Sequence, residues 1–264
     1  MFMSRIKQKF EELKQSGGKA LVAFVTAGDP DINELPNILK ALEEAGADLV
    51  EVGIPFSDPI ADGPTIQASS QRALDKGVKV SQIFDAVKES VLSIPVIYMG
   101  YTNIAMRMGL ERFAGLVKNS GADGVLLSDL TPEEAGEWKE CANNAELDTV
   151  FLVAPTSTDE RIRLACEMAS GFVYCVSRTG VTGAESAVPT EVSELVRRVK
   201  ERTELPICVG FGISKPNQVR MVCSIADGAV VGSYFVNFLH ERWHSGGGRD
   251  EFVRAVKELK DATR

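Results

Sequence analysis

Short apolar runs alternate with longer amphipathic stretches along the whole chain. The runs are Ala20–Thr26, Asp48–Gly53, Pro95–Gly100, Gly124–Leu127, Thr149–Ala154, Phe172–Val176, Ile207–Gly210 and Gly228–Val231. Each is rich in apolar, often β-branched residues, too short for a core helix and bounded by turn residues, which predicts eight strands. Between them, apolar residues recur at a helical period over Leu35–Ala45, Ser81–Val91, Leu110–Lys118, Glu133–Asn143, Asp159–Ala169, Glu191–Lys200 and Asn217–Cys223. A further helix is expected over Arg249–Lys260, a short one after Gly232-Ser233, and a charged amphipathic stretch opens the chain at Met1–Lys14. Strands that alternate with helices pair in parallel. Eight such units over 264 residues predict one α/β domain spanning residues 1–264, a (β/α)8 TIM barrel with an extra N-terminal helix. An open doubly wound sheet is the competing arrangement, but no G-x-G-x-x-G follows the first strand.

A local echo accompanies the rhythm. Ala45-Gly46-Ala47-Asp48 and Ser120-Gly121-Ala122-Asp123 each join a helix end to a strand, and Ala226-Asp227-Gly228-Ala229 is a looser version. Gly46 and Gly121 are expected as helix C-caps in the left-handed region.

Composition narrows the chemistry. The only histidines, His240 and His244, lie near the C-terminus, so a histidine-based nucleophile system would have to draw its base from those two, and a multi-histidine metal site in the body of the chain is ruled out. Acid–base work then falls to carboxylates, Tyr or Lys. The net charge of −8 argues against a nucleic acid or anionic membrane as partner. Five cysteines without a C-x-x-C pair argue against a disulfide framework or structural zinc and fit a reducing cytoplasm. His240-Glu241-Arg242-Trp243-His244 matches H-E-x-x-H, but it follows the last strand on the outer layer, where no cleft is expected. It reads as a solvated helix end, and no metal site is assigned.

In such a barrel, function sits at the C-terminal ends of strands and in the loops that follow. Alternation along the second strand puts Leu49, Glu51 and Gly53 on one face. If that face points into the barrel, Glu51 is a desolvated carboxyl suited to proton transfer. Position alone leaves a buried salt-bridge partner equally open. The long loop after it ends in Asp62-Gly63-Pro64. After the sixth strand, Ser177–Ala184 forms a glycine- and hydroxyl-rich loop, a mobile lid or an anion cradle. Gly210-Phe211-Gly212 and Gly232-Ser233 place glycine turns after the seventh and eighth strands, where backbone N–H groups and a helix start commonly hold phosphate.

Together these residues resemble the family of tryptophan synthase α subunits. The family's signature around strand two, E-x-G-x-P-F-S-D-P-x-A-D-G-P, is met by Glu51, Gly53, Pro55–Pro59 and Ala61–Pro64 and continues through Thr65-Ile66-Gln67. Phe24–Pro30, Ser177-Arg178, Gly180–Glu185, Gly210–Ile213 and Gly232-Ser233 match in chain order. The resemblance implies retro-aldol cleavage of indole-3-glycerol phosphate to indole and glyceraldehyde 3-phosphate without a cofactor. It implies Glu51 as general acid and then base, Asp62 as acceptor of the indole N–H, and Tyr174 beside them. Gly183, Gly212, Gly232 and Ser233 would hold the phosphate, and Phe24, Ile66 and Phe211 would line the apolar part. A pyridoxal-phosphate β subunit would receive the indole in an α2β2 complex, with loops Ile54–Pro64 and Arg178–Thr190 as lids. Asn103-Ile104 and Asp129-Leu130-Thr131-Pro132 depart from the family's usual Asn-Pro and Asp-x-Pro, in loops that face the β subunit. A stand-alone lyase of the same lineage, or another phosphate-binding barrel isomerase or epimerase, is the alternative reading.

Overall fold

The computed structural model describes residues 3–176, 189–210, 212–244 and 247–264. Eight parallel strands close in sequence order, each paired with its neighbours and β8 with β1. They are β1 (Ala20–Thr26), β2 (Leu49–Gly53), β3 (Val96–Gly100), β4 (Gly124–Leu127), β5 (Asp148–Val153), β6 (Val173–Val176), β7 (Ile207–Gly210) and β8 (Gly228–Val231). The eight expected runs match these strands within one residue at each end.

The helices are α1 (Arg5–Ser16), α2 (Leu35–Glu44), α3 (Pro64–Asp75), α4 (Val80–Ser90), α5 (Thr102–Met108) and α6 (Leu110–Asn119). They continue with α7 (Gly136–Asn144), α8 (Asp159–Met168), α9 (Thr190–Lys200), α10 (Pro216–Cys223), α11 (Ser233–Arg242) and α12 (Arg249–Asp261). Two were not read from the pattern, α3 and α5. Both lack a broad apolar stripe: α3 buries only Ser69, Ser70 and Ala73, and α5 buries only Ala105. Small residues at a packed face carry little periodic signal.

Two apolar layers follow from strand alternation. Outward residues such as Val50, Val52, Val125 and Leu127 pack against the helix ring, while Val22, Leu49, Ile97, Leu126, Val150, Cys208 and Val230 fill the barrel. Helix α1 closes the N-terminal end. Ser4 caps it through the Lys7 N–H at 3.2 Å, and Gly17 ends it with φ +69°. Its buried face carries Ile6 and Phe10, which join the barrel interior, Phe10 lying 6.1 Å from Phe172 between ring centroids. That plug leaves the opposite end for ligands.

The repeated helix-to-strand turn has a physical function. Gly46 and Gly121 take φ of +92° and +87°, as a left-handed turn requires. The aspartate that follows reaches back to the preceding strand. Asp48 accepts the Leu21 N–H at 2.7 Å, and Asp123 accepts the Val96 N–H at 2.9 Å. Asp227 of the looser echo accepts the Ile207 N–H at 3.1 Å. Each also meets a cation, Lys260 at 2.6 Å, Arg5 at 3.2 Å and Lys19 at 3.1 Å respectively. The echo is thus a set of staples at the N-terminal end of the barrel, tying neighbouring strands to one another and to α1 and α12.

Asp48 is the most enclosed of these, and hydrogen bonds to charged groups contribute roughly 1.5–3 kcal/mol. Asp48→Ala should therefore lower the free energy of unfolding by about 2–3 kcal/mol in urea titration. A loss below about 0.5 kcal/mol would show the staple to be decoration.

Candidate functional site

The site is built from the inward positions nearest the C-terminal ends of the strands. On β2 the sequence alternates outward Val50 and Val52 with inward Leu49, Glu51 and Gly53. Glu51 stands beside Phe24 of β1 and Ile97 of β3 in register. It is 1% exposed, and among the described residues neither carboxyl oxygen has a hydrogen-bond partner. The salt-bridge reading of this residue therefore finds no support. Burial, and secondarily the nearby Asp62 carboxylate, push its pKa up to about 8. Near neutrality Glu51 carries its proton.

Asp62 comes from the loop between β2 and α3. The Gln67 side chain, one turn into α3, donates to the Asp62 carbonyl at 2.8 Å and holds the end of the loop. The Asp62 carboxyl is half-buried. Burial raises its pKa, and a hydrogen bond from Tyr101 opposes that rise. The Tyr101 hydroxyl donates to Asp62 Oδ2 at 3.0 Å and accepts the Ala61 N–H at 3.1 Å. Its ring stacks on Phe56 of the same loop, with centroids 4.8 Å apart and planes 22° off parallel. Burial first, then the Asp62 carboxylate, holds the Tyr101 phenol protonated far above its ordinary range. Tyr101 was not among the expected site residues. Alternation from Ile97 and Met99 through the next inward position would have found it.

Tyr174 on β6 faces inward with its ring 6.2 Å from Phe172. Burial, then Glu51, raises its pKa well above the ordinary value, with Cys208 and Asp62 adding to the effect. Glu51, Asp62 and Tyr174 thus share one electrostatic environment. Glycine makes room for the rings. A Cβ on Gly210 would lie 2.6 Å from the Tyr174 hydroxyl, and one on Gly53 would lie 2.5 Å from Phe24 Cζ. Phe24 is buried and also touches the space beside Gly232, whose Cβ would sit 3.4 Å from the ring. Ile66 lies half-buried on the first turn of α3.

The seventh and eighth strands end at glycine-bearing turns. Gly212 follows β7 with φ +62°. Gly232 precedes α11, and no side chain among the described residues caps that helix, whose first N–H groups are the kind that suit an anion. Ser233 opens the helix half-buried. Gly183, Phe211 and the expected lid segment from Arg178 through Val188 lie outside the described residues.

The H-E-x-x-H segment is divided by its own backbone. Helix α11 ends at Arg242, and the Trp243 that follows is extended, with its indole N–H donating to Glu34 at 3.0 Å. His240 is exposed on the helix and His244 lies beyond it, its Nε2 3.1 Å from the Glu241 carbonyl oxygen. Among the described residues, no three His, Cys, Asp or Glu side chains gather as a metal site.

Comparison with known proteins places this arrangement. The family model for the tryptophan synthase alpha chain matches residues 10–264. The tryptophan synthase alpha chain of Geobacter sulfurreducens is 49% identical over 97% of this chain and 98% of its own length. That of Caldanaerobacter subterraneus subsp. tengcongensis is 48% identical over 97% of each. A solved structure of Mycobacterium tuberculosis tryptophan synthase superposes with a TM-score of 0.91 at 36% identity, covering 100% of this chain and 99% of that one. The tryptophan synthase subunit alpha of Legionella pneumophila gives a TM-score of 0.90 at 32% identity, covering 99% of both. A match of this length on the same closed barrel leaves no room for an isomerase or epimerase lineage: the chain belongs to the tryptophan synthase alpha chain family.

Proposed function

We propose that this chain cleaves indole-3-glycerol phosphate to indole and glyceraldehyde 3-phosphate by a retro-aldol reaction. The observation that carries the proposal is Glu51, a protonated carboxyl buried without a partner beside a second carboxyl. Glu51 delivers its proton to indole C3. The C3–glycerol bond then breaks as Glu51 takes the proton of the adjacent hydroxyl, which becomes the aldehyde. The bonding electrons return to the ring, and the proton count on Glu51 is restored. Asp62 accepts the indole N–H and offsets the positive charge that protonation places on the ring. Tyr101 aims that carboxyl. Phe24 and Ile66 supply apolar wall, and Tyr174 stands beside the reacting end. Gly212, Gly232 and Ser233 fix the phosphate through backbone N–H groups, which sets the register of the reacting atoms.

The chemistry needs a proton relay and charge stabilisation, both of which these side chains supply, so the reading includes no cofactor on this chain. Family membership supports a β subunit as partner, and the finer reading is an α2β2 complex in the cytoplasm. There the β subunit, with its pyridoxal phosphate, receives the indole. Among the described residues, no helix is long and apolar enough to cross a membrane. Gel filtration of this chain with and without the β chain of the same organism tests the complex.

Glu51→Gln should abolish cleavage, by roughly 10³-fold or more, while phosphate-ligand binding persists. In the unaltered chain, kcat/KM should fall as pH rises through about 8, where Glu51 loses its proton. The same group sets a stability trend. Its proton is held more tightly folded than unfolded, so its contribution is full below about 4.5 and is lost progressively up to about 8. Glu51→Gln should therefore gain stability over the unaltered chain between pH 5 and pH 9, by a few kcal/mol in urea titration. Parallel stability curves for the two proteins would contradict the burial of an ionisable group here.

Asp62→Asn should slow cleavage by about 10²-fold or more, and Tyr101→Phe by about tenfold, mainly in kcat, since substrate affinity does not rest on that hydroxyl. Rates equal to the unaltered chain would remove Asp62 from the N–H role. Ser233→Asp should weaken inorganic phosphate or glycerol phosphate binding through like-charge repulsion at the helix start. Unchanged affinity in titration calorimetry would place the anion elsewhere.

A further inference from the structure

Among the described residues, the buried side-chain oxygens without a hydrogen-bond partner belong to Glu51, Ser128 and Asp148. Glu51 is accounted for by the proposed chemistry, and Asp148 begins β5 at the plugged end of the barrel. Ser128 remains. It follows β4 directly. Leu126 fills the barrel and Leu127 packs outward, so alternation turns Ser128 into the mouth. Its N–H donates to the Gly100 carbonyl at 2.8 Å, which sets it beside Tyr101, the residue that holds Asp62. The inward residues one step below it, Met99, Leu126 and Leu152, are all apolar.

A hydroxyl shut off from water with nothing to bond is destabilising, and such a group points to a ligand that completes it. The barrel topology says which part of the ligand arrives. With eight strands in sequence order, β4 stands across the barrel from β8. Substrate anchored by its phosphate at Gly232 and Ser233 and extending past Glu51 ends on the β4 side. The end of indole-3-glycerol phosphate farthest from the phosphate is the six-membered ring. Resting on the function proposed above, we infer that Ser128 is a specificity-determining residue that offers a hydrogen bond at the six-membered-ring edge, so that this pocket accepts indoles carrying a hydroxyl or amino group there. A serine hydroxyl both donates and accepts, and it turns about a single bond.

The test uses the condensation direction with the full-length chain. Indole C3 joins the aldehyde carbon of glyceraldehyde 3-phosphate, the C3 proton leaves, and the aldehyde oxygen gains one. Initial rates are measured with indole and with 4-, 5-, 6- and 7-hydroxyindole for the unaltered chain, Ser128→Ala and Ser128→Thr. The quantity read is kcat/KM for each hydroxyindole relative to indole in the same protein, which cancels any general loss of folding or activity. For the best isomer this ratio should fall about tenfold in Ser128→Ala and stay within about threefold in Ser128→Thr, which keeps the hydroxyl. Ratios that are equal in the unaltered chain and Ser128→Ala for all four isomers overturn the inference while leaving the reaction intact. An unaltered chain that neither condenses plain indole nor cleaves indole-3-glycerol phosphate overturns the proposed reaction itself, and this inference with it.

Discussion

The carboxyl of Glu51 sits where a carboxylate is least welcome, enclosed by the barrel with no donor for either oxygen among the described residues. Holding its pKa near 8 rather than 4.5 corresponds to on the order of 5 kcal/mol against ionisation. The surrounding structure has to withstand that, and the closed sheet explains how it does. Every strand is hydrogen-bonded on both sides, α1 seals the far end, and the aspartate staples tie strand starts together. A rigid wall of this kind keeps water and cations away from Glu51. An open sheet edge or a mobile strand would admit them and return the group to an ordinary acid.

Two carboxyls are separated in role by the elements that carry them. Glu51 is on a strand, fixed by the sheet and cut off from solvent. Asp62 is on a loop, half-buried, and kept closer to ionisation by the Tyr101 hydrogen bond. Burial raises both groups, and only Asp62 has a hydrogen bond that opposes the rise, so the two carboxyls are not equivalent. The stacking of Phe56 on Tyr101 joins the loop to the strand that aims it. Loop and barrel therefore meet at one aromatic pair, and the placement of Asp62 depends on it.

The net charge of −8 is a property of the whole chain and does not set the local character of the barrel mouth. In the proposed reading the phosphate would meet backbone donors at Gly212, Gly232 and the start of α11, and these owe nothing to side-chain charge. Glycine serves a second purpose inside the barrel, where Gly53 and Gly210 yield their volume to Phe24 and Tyr174. The pocket is lined by aromatic rings because the positions beside them are empty.

Alternation and turn chemistry were enough to place the eight strands, to set Glu51 on one face with Leu49 and Gly53 and to expect left-handed turns at Gly46 and Gly121, because these are local properties of the backbone; the closed sheet decided that this face is the inner one. The signature from Glu51 to Pro64 was legible for the same reason, being contiguous. Tyr101 and Ser128 were not singled out, although each follows a strand that was, because their significance lies in which side chains meet across strands and loops. The aspartate echo was visible as a pattern, yet its function as a staple depends on the neighbouring strand's N–H and on cations from α1, α12 and the residue just before β1. The H-E-x-x-H run was the converse case: contiguous in sequence, it is split by the end of α11, since Trp243 is drawn into the core and toward Glu34. Sequence nominated residues for the chemistry and grouped strand residues by face; tertiary structure alone decided which face is inward and which side chains touch, and burial without a partner is a property of that packing.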